Sequence, residues 1–310
     1  MGKNLTDRSM SPMRRFLLTL ALTAMWSPSF LFIKLAVQDL PPITVAALRV
    51  TIAALILYGI LRWKRYVLPG GAIFWFHATV VGLFSAAIPF CLFCYAERTI
   101  DSSLAAILNG TAPMFTALLA QFFVPSDRLN IQKAVGIILC TGGLVFLFAS
   151  DIQRGMIGSV YGMLAATAAA FCYGVNHIYG KKYITGYPPF VAPTAALIVS
   201  ALALWPLALG YEHPFSLPAP SFSSILGVCG LAVFGTVSAF IFYYKLLEES
   251  GPVAISLVAC FFPVGGLLLG VIFLGEAFTL SHLLAAALIL LGMCIVNQVV
   301  RFKYLGTKNQ

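Results

Sequence analysis

Seven side chains conflict with the apolar runs around them: Trp26, Ser29, Arg49, Asn109, Tyr173, Asn176 and His177. Trp26, Ser29 and Phe30 are spaced i, i+3 and i+4, so they share one helix face. At an offset of 147 residues the face recurs as Tyr173, Asn176 and His177. Each copy sets an aromatic ring beside a hydrogen-bonding group. A ring can hold the apolar part of a small solute while the polar neighbour orients it. The same residue types also make plain inter-helix hydrogen bonds in membranes, so the faces either line a substrate cavity or tie helices together. His177 titrates near neutral pH and could carry a proton, or it could be a packed residue.

Arg49 stands seven residues past Pro42, roughly 10 Å into its run at the helical rise. A charge at a helix centre costs about 2.5 to 3.5 kcal/mol on insertion scales, so lipid exposure is excluded and Arg49 must face a cavity or a partner. It could anchor a substrate carboxylate or phosphate through forked bonds, or clamp helix-end carbonyls or Glu97. Its counterpart in the second copy is Ala196. Asn109 adds polarity to the fourth run and is placed in the same cavity.

No catalytic constellation emerges. The four histidines, His77, His177, His213 and His282, fall at different depths and sides. The pair Cys91 and Cys94 forms a C-x-x-C inside an apolar run, without a metal or redox partner in sequence. All seven cysteines lie in such runs, where they act as small apolar residues. Gly174 to Lys181 has one residue too many for a phosphate loop and no Ser or Thr after the lysine. Neither a metal nor another cofactor is expected. The rival classes, a lipid-modifying membrane enzyme and a channel, lack convergent acids or histidines and have no need of a duplicated plan.

The elements that hold these residues follow from composition. Of 310 residues, 60% are hydrophobic and 9% charged, against roughly 25% charged in soluble domains. A bilayer can hide that apolar surface, at about 20 residues per span. Ten runs qualify: 16–37, 43–61, 73–95, 102–124, 131–149, 156–178, 190–210, 222–246, 253–274 and 280–300. The first follows Arg14-Arg15 without a clear small-residue cleavage site and reads as a retained helix. Of nineteen Lys and Arg, Arg98 and Arg154 fall on the far side and Lys34 and Arg49 within runs, which leaves fifteen on the side of the amino terminus. This is the positive-inside pattern, not a nucleic-acid patch, despite the net charge of +9. Both termini are then cytoplasmic, in a bacterial inner membrane.

The runs repeat. Pro113 falls on Pro263, Phe123 on Phe273 and Gly142 on Gly292 at an offset of 150; Leu40-Pro41-Pro42-Ile43 falls on Tyr187-Pro188-Pro189-Phe190 at 147. The units are 14–149 and 156–302, an all-α fold of ten membrane helices in two five-helix repeats. Five is odd, so the second repeat enters from the opposite side, the inverted plan of secondary transporters. Pro113 and Pro263 would be paired hinges, or would merely curve their helices. Gly136, Gly142, Gly143 and Ala285-Ala286-Ala287 make spans 5 and 10 a scaffold or a homodimer contact. Lys34 lies near its helix end and is expected to snorkel to the surface. The aromatics ending spans 3 and 8 are an interfacial belt or a gate. Glu276 and Asp127, at matching turns, are expected to be solvated or to cap the helix that follows.

The string Phe273-Leu274-Gly275-Glu276-Ala277-Phe278-Thr279, followed by an alanine-rich span and Gly292, resembles the C-terminal hairpin of EamA-type repeats. Trp26 with the later Lys34, Arg49 after the Pro-Pro turn, and Pro113 with Pro263 fit the same pattern. Over residues 14–302 the chain resembles the drug/metabolite transporter superfamily. The resemblance implies a central cavity formed by spans 1–4 and 6–9, with spans 5 and 10 peripheral. It also implies movement of a small metabolite, often an amino acid or derivative and frequently outward. Val124-Pro125-Ser126-Asp127-Arg128 departs from the Gly-Glu turn expected in the first repeat. Transport would then use a gradient, exchange or uniport by alternating access.

The charge asymmetry makes a direct prediction. In a cysteine-free background, Leu5→Cys and Thr307→Cys should both react with an impermeant maleimide only after the membrane is permeabilised; labelling of one terminus in intact cells would overturn the topology.

Overall fold

An apolar run can cross a bilayer only if its backbone polar groups bond one another, which an α-helix achieves within a single segment. The chain uses that solution throughout. The computed structural model describes residues 12–300 apart from 126, 127, 185, 251 and 278, and among these residues there is no strand. Its spans are α1 (Met13–Ala36), α2 (Pro42–Trp63), α3 (Ala72–Ala96), α4 (Ser102–Phe123), α5 (Ile131–Gln153), α6 (Ile157–Tyr183), α7 (Val191–Glu212) and α8 (Phe222–Leu246). They are followed by α9 (Pro252–Leu274) and α10 (Leu280–Val296). Nine are long and apolar enough to cross a membrane; α10, at 17 residues, is shorter.

Five spans are irregular; α7 ends in a π-helical stretch, Ala208–Glu212, just after Pro206. α1 stops at Trp26 and resumes at Ser29, because Pro28 has no N–H to continue the ladder. α4 stops at Asn109 and resumes at Ala112, with Pro113 in the first turn of the new segment. There Gly110 and Thr111 donate three residues back, to Ile107 and Leu108 at 2.9 and 3.0 Å, so the chain tightens before the proline. Pro263 instead lies inside an unbroken α9. The two prolines expected to match therefore sit in different local structures. α3 and α8 each carry a π-helical stretch at corresponding places, Leu83–Ala87 and Val233–Ser238. Such stretches open the backbone ladder and recur at functional sites.

The two repeats are interleaved rather than set side by side. α1 packs on α8 and α3 on α6, while α2 packs on α7, α4 on α9 and α5 on α10. Three of these pairs, α2–α7, α4–α9 and α5–α10, join counterparts, and the other two, α1–α8 and α3–α6, are copies of one another under the duplication. The α5–α10 seam shows why small residues are needed. A Cβ at Gly136 would stand 2.7 Å from the carbonyl oxygen of Gly292, and one at Gly292 would stand 2.6 Å from that of Gly136. Gly143 meets Ile289 and the carbonyl of Ala285. The glycines expected to serve a scaffold or a contact between copies are thus used within the chain. Gly142 is different, with nothing within 4 Å of an added Cβ.

Gly292→Leu should therefore destabilise the protein by about 1–3 kcal/mol, the usual cost of overpacking, whereas Gly142→Leu should melt close to wild type. Thermal melts in one detergent compare them, and equal melting temperatures would contradict the seam.

Candidate functional site

Arg49 is carried on the buried side of α2 and is 6% exposed. Its Nε donates to Thr236 Oγ1 at 3.0 Å and its Nη2 to the carbonyl of Gly235 at 3.4 Å. The guanidinium carbon sits 3.6 Å from the centre of the Phe90 ring. Both acceptors come from the π-helical turn of α8, and Phe90 lies just past that of α3. Gly235 lets the groups converge: a Cβ there would meet Ser29 Oγ at 2.6 Å and Arg49 Nη2 at 3.7 Å. Ser29 and Arg49 are thus brought together. No carboxylate lies within 4.0 Å of Arg49 among the described residues. A buried cation held only by neutral dipoles and a ring is short of compensating charge.

The rings extend outward from this point. Trp26 lies 6.2 Å from Phe262 and 6.1 Å from Tyr243; Phe262 stacks on Phe30 at 6.3 Å; Phe30 meets Phe93 at 5.4 Å; Phe93 stacks on Tyr173 at 6.1 Å. Trp26 and Tyr173, counterparts in the two repeats, therefore stand at the two ends of one aromatic chain. Phe93 and Tyr243 pack inward, whereas Tyr95 is exposed. His177 bonds Thr116 through Nδ1 at 3.1 Å, which sets it against α4. Asn109 ends the first segment of α4, and a Cβ on the next residue, Gly110, would lie 3.5 Å from Pro263. The break ahead of Pro113 thus faces Pro263.

Polar atoms without partners coincide with the sequence-derived set. The buried side-chain oxygens lacking a hydrogen bond among the described residues include Ser29 Oγ, Asn109 Oδ1 and Asn176 Oδ1. Such atoms cost free energy unless something bonds them. Two apolar grooves on the outer surface of α5 and α10 contain none of these residues.

At the face opposite Pro12, carboxylates bond helix starts in the other repeat. Asp39 accepts from Ser221 N and Ser224 Oγ, both at 2.8 Å, and from Ser221 Oγ. Glu212 accepts from Ile43 N, Thr44 N and Thr44 Oγ1 at 2.9, 2.7 and 2.7 Å. Glu276 accepts from Ser102 N and Oγ, both at 2.8 Å, from Ser103 N at 3.0 Å and from Ser103 Oγ. Asp151, at the end of α5, accepts from Ser159 Oγ at 2.6 Å and pairs with His282 at 3.1 Å, both at helix starts in the second repeat. An anion at a helix start meets orphan N–H groups and the positive end of the dipole.

Two expectations are corrected here. Glu276 caps α4, not the helix that follows it, because Gly270 and the short turn fold its carboxylate back onto Ser102. Asp127 lies outside the described residues. Lys34 does not snorkel: its Nζ donates to the carbonyls of Glu97 and Ile100, both at 2.8 Å, where α3 ends. Carbonyls at a helix end attract a cation. Asp39, Glu212 and Thr236 were not singled out by sequence, since only the packing of one repeat on the other gives them partners.

The model of the EamA-like transporter family matches residues 13–149 and 160–298. The chain is similar to an uncharacterized transporter of Archaeoglobus fulgidus, 28% identical over 290 residues, 90% of this chain and 97% of the relative. It is similar to the uncharacterized inner membrane transporter YedA of Escherichia coli strain K12, 24% identical over 278 residues, 89% and 88% of the two chains. A probable amino-acid metabolite efflux pump of Salmonella typhimurium is 27% identical over 287 residues, 90% of this chain and 93% of that one. One crystal structure superposes with a TM-score of 0.62 at 22% identity, covering 94% of this chain and 99% of its own, which shows a shared fold.

The Asp39 bridge has a signed pH dependence. Hydrogen bonds from the Ser221 side chain, the Ser221 backbone and Ser224 hold its carboxyl below the ordinary carboxylate value. Its stabilisation is complete above the unfolded value and is lost as pH falls through the folded one. Asp39→Asn should melt lower than wild type at neutral pH, and the gap should close in strong acid; a gap that stays constant would show that the charge on Asp39 contributes nothing.

Proposed function

The chain belongs to the EamA-like transporter family, and we propose that this membrane transporter is a secondary carrier for a small amphipathic metabolite bearing a carboxylate, of the amino-acid class. The observation that carries the reading is Arg49, buried and without an acid partner among the described residues. A substrate carboxylate supplies the missing charge through a forked, charge-assisted bond. Ser29, Asn109 and Asn176 offer oxygens that can accept from an ammonium or amide, and Trp26 and Tyr173 receive the apolar part. His177 completes the set beside Thr116. The efflux-pump relative of Salmonella typhimurium supports this substrate class.

Alternating access is read from the same residues. The carboxylate bridges are hydrogen bonds between repeats, so they can break without unfolding either one. The break in α4 before Pro113, set against Pro263, supplies the pivot. The bridged face is taken as the outer one, which puts both termini in the cytoplasm.

Counterflow in proteoliposomes tests the proposal. With a radiolabelled mixture of amino acids, wild type should show saturable uptake that rises when the vesicles are preloaded with the unlabelled mixture. Arg49→Ala should lose at least about tenfold in apparent affinity, the equivalent of roughly 1.4 kcal/mol, and thermal shifts by carboxylate ligands should vanish in parallel. A product without flux would indicate an enzyme, and uptake unchanged in Arg49→Ala would leave Arg49 as a structural clamp only.

A further inference from the structure

Glu97 is the buried group that the carrier reading does not use. It closes α3 and is 1% exposed, and neither carboxylate oxygen has a hydrogen-bond partner among the described residues. Lys34 is close by, but its Nζ is directed to the backbone oxygens of Glu97 and Ile100 at 2.8 Å each. Glu97 shares the α3 face of Phe90, seven residues earlier and about 10 Å along the axis, and Phe90 carries the Arg49 guanidinium at 3.6 Å. The charged and titratable groups around it are Lys34 from α1, Arg49 from α2, Cys94 from α3 itself and Glu276 after α9. Asp101 stands in the loop ahead of α4, with its own carboxyl raised by burial and by Glu276.

A carboxylate without donors in a dry interior is expensive, whereas the neutral acid is tolerated. Burial pushes the Glu97 carboxyl well up, Glu276 adds to the rise, and Lys34 and Arg49 oppose it. In this arrangement the acid form therefore fits. Above it lie the helix starts held by Glu276, so opening that face lets water reach the carboxyl and the proton leave.

We propose that Glu97 is a proton-binding site linked to Arg49, so that a solute carboxylate arriving at Arg49 draws a proton onto Glu97 and the two move together. The step is a protonation alone: bulk water supplies the proton, the carboxylate becomes the acid, and the reverse occurs when the face opens. The linkage is electrostatic. At about 10 Å in an effective dielectric of about 20, neutralising Arg49 changes the proton affinity of Glu97 about tenfold. This inference rests on the carrier reading for its purpose, though the proton site itself does not.

Infrared titration of the purified full chain decides it, with the proton as the probe. Wild type should show a protonated-carboxyl band that disappears as pH rises, and Glu97→Gln should lack it. Glu97→Asp should restore a titrating band if the Gln variant folds poorly. Arg49→Ala should raise the midpoint by about one pH unit, a tenfold gain in proton affinity. No Glu97-dependent band, or a midpoint unmoved by Arg49→Ala, would overturn the proposal. In vesicles, an inward proton gradient should speed wild-type uptake of the labelled amino-acid mixture but not that of Glu97→Gln; a variant that still responds would also overturn it. Absence of all flux would sink the carrier reading while leaving the band, so the two failures are separable.

Discussion

A helix start leaves N–H groups without intrahelical partners, and in an apolar chain few side chains can answer them. Here the answer comes from the other repeat. Asp39 serves the start of α8, Glu212 that of α2, and Glu276 that of α4. The centre is also bonded across the repeats, where Arg49 in the first donates to Gly235 and Thr236 in the second. Polar groups are thus balanced across the repeat boundary, which makes the relative position of the repeats an electrostatic matter as much as a packing one. A carrier benefits from that arrangement, because such bonds are directional, few and reversible.

The irregular backbone serves the same end. A regular helix offers no spare acceptor to a guanidinium. The π-helical turn of α8 does, while Thr236 bonds back to Leu231 at 2.9 Å and also receives Arg49. The break at Ser27-Pro28 places Trp26 and Ser29 on either side of a discontinuity, and Ser27 Oγ bonds Phe262 O at 3.2 Å across to α9. Discontinuous helices around a mid-membrane site are a recurrent transporter device.

Much of this was legible in the residues. The apolar runs, their number and their duplication follow from length and composition. The burial of Arg49 follows from the cost of a charge in lipid, whereas the break at Pro28 interrupts the helix on which spacing set Trp26 and Ser29. What spacing could not supply was partnership at long range. Lys34 sits near enough to a helix end to snorkel, and only the approach of α3 gives it carbonyls to cap. Glu276 lies before α10 in sequence and at α4 in space. Pro113 and Pro263 match in alignment, yet Gly110 and Thr111 before Pro113 let one helix break where the other runs on. Glu97 entered only as a candidate partner for Arg49, since its isolation is visible only once its neighbours are in place.

The interleaving also bears on how the chain is made. Ser27 and Phe262 are 235 positions apart, and Arg49 is separated from Thr236 by 187. During synthesis the first five helices enter the membrane well before their partners exist. Arg49 then waits in the bilayer, or beside the insertion machinery, until α8 emerges. A half-length product would keep that charge unanswered and leave α2, α4 and α5 without their main neighbours, so the first repeat is a unit of ancestry rather than of assembly. Separate halves could reach the native state only by finding one another in the same membrane.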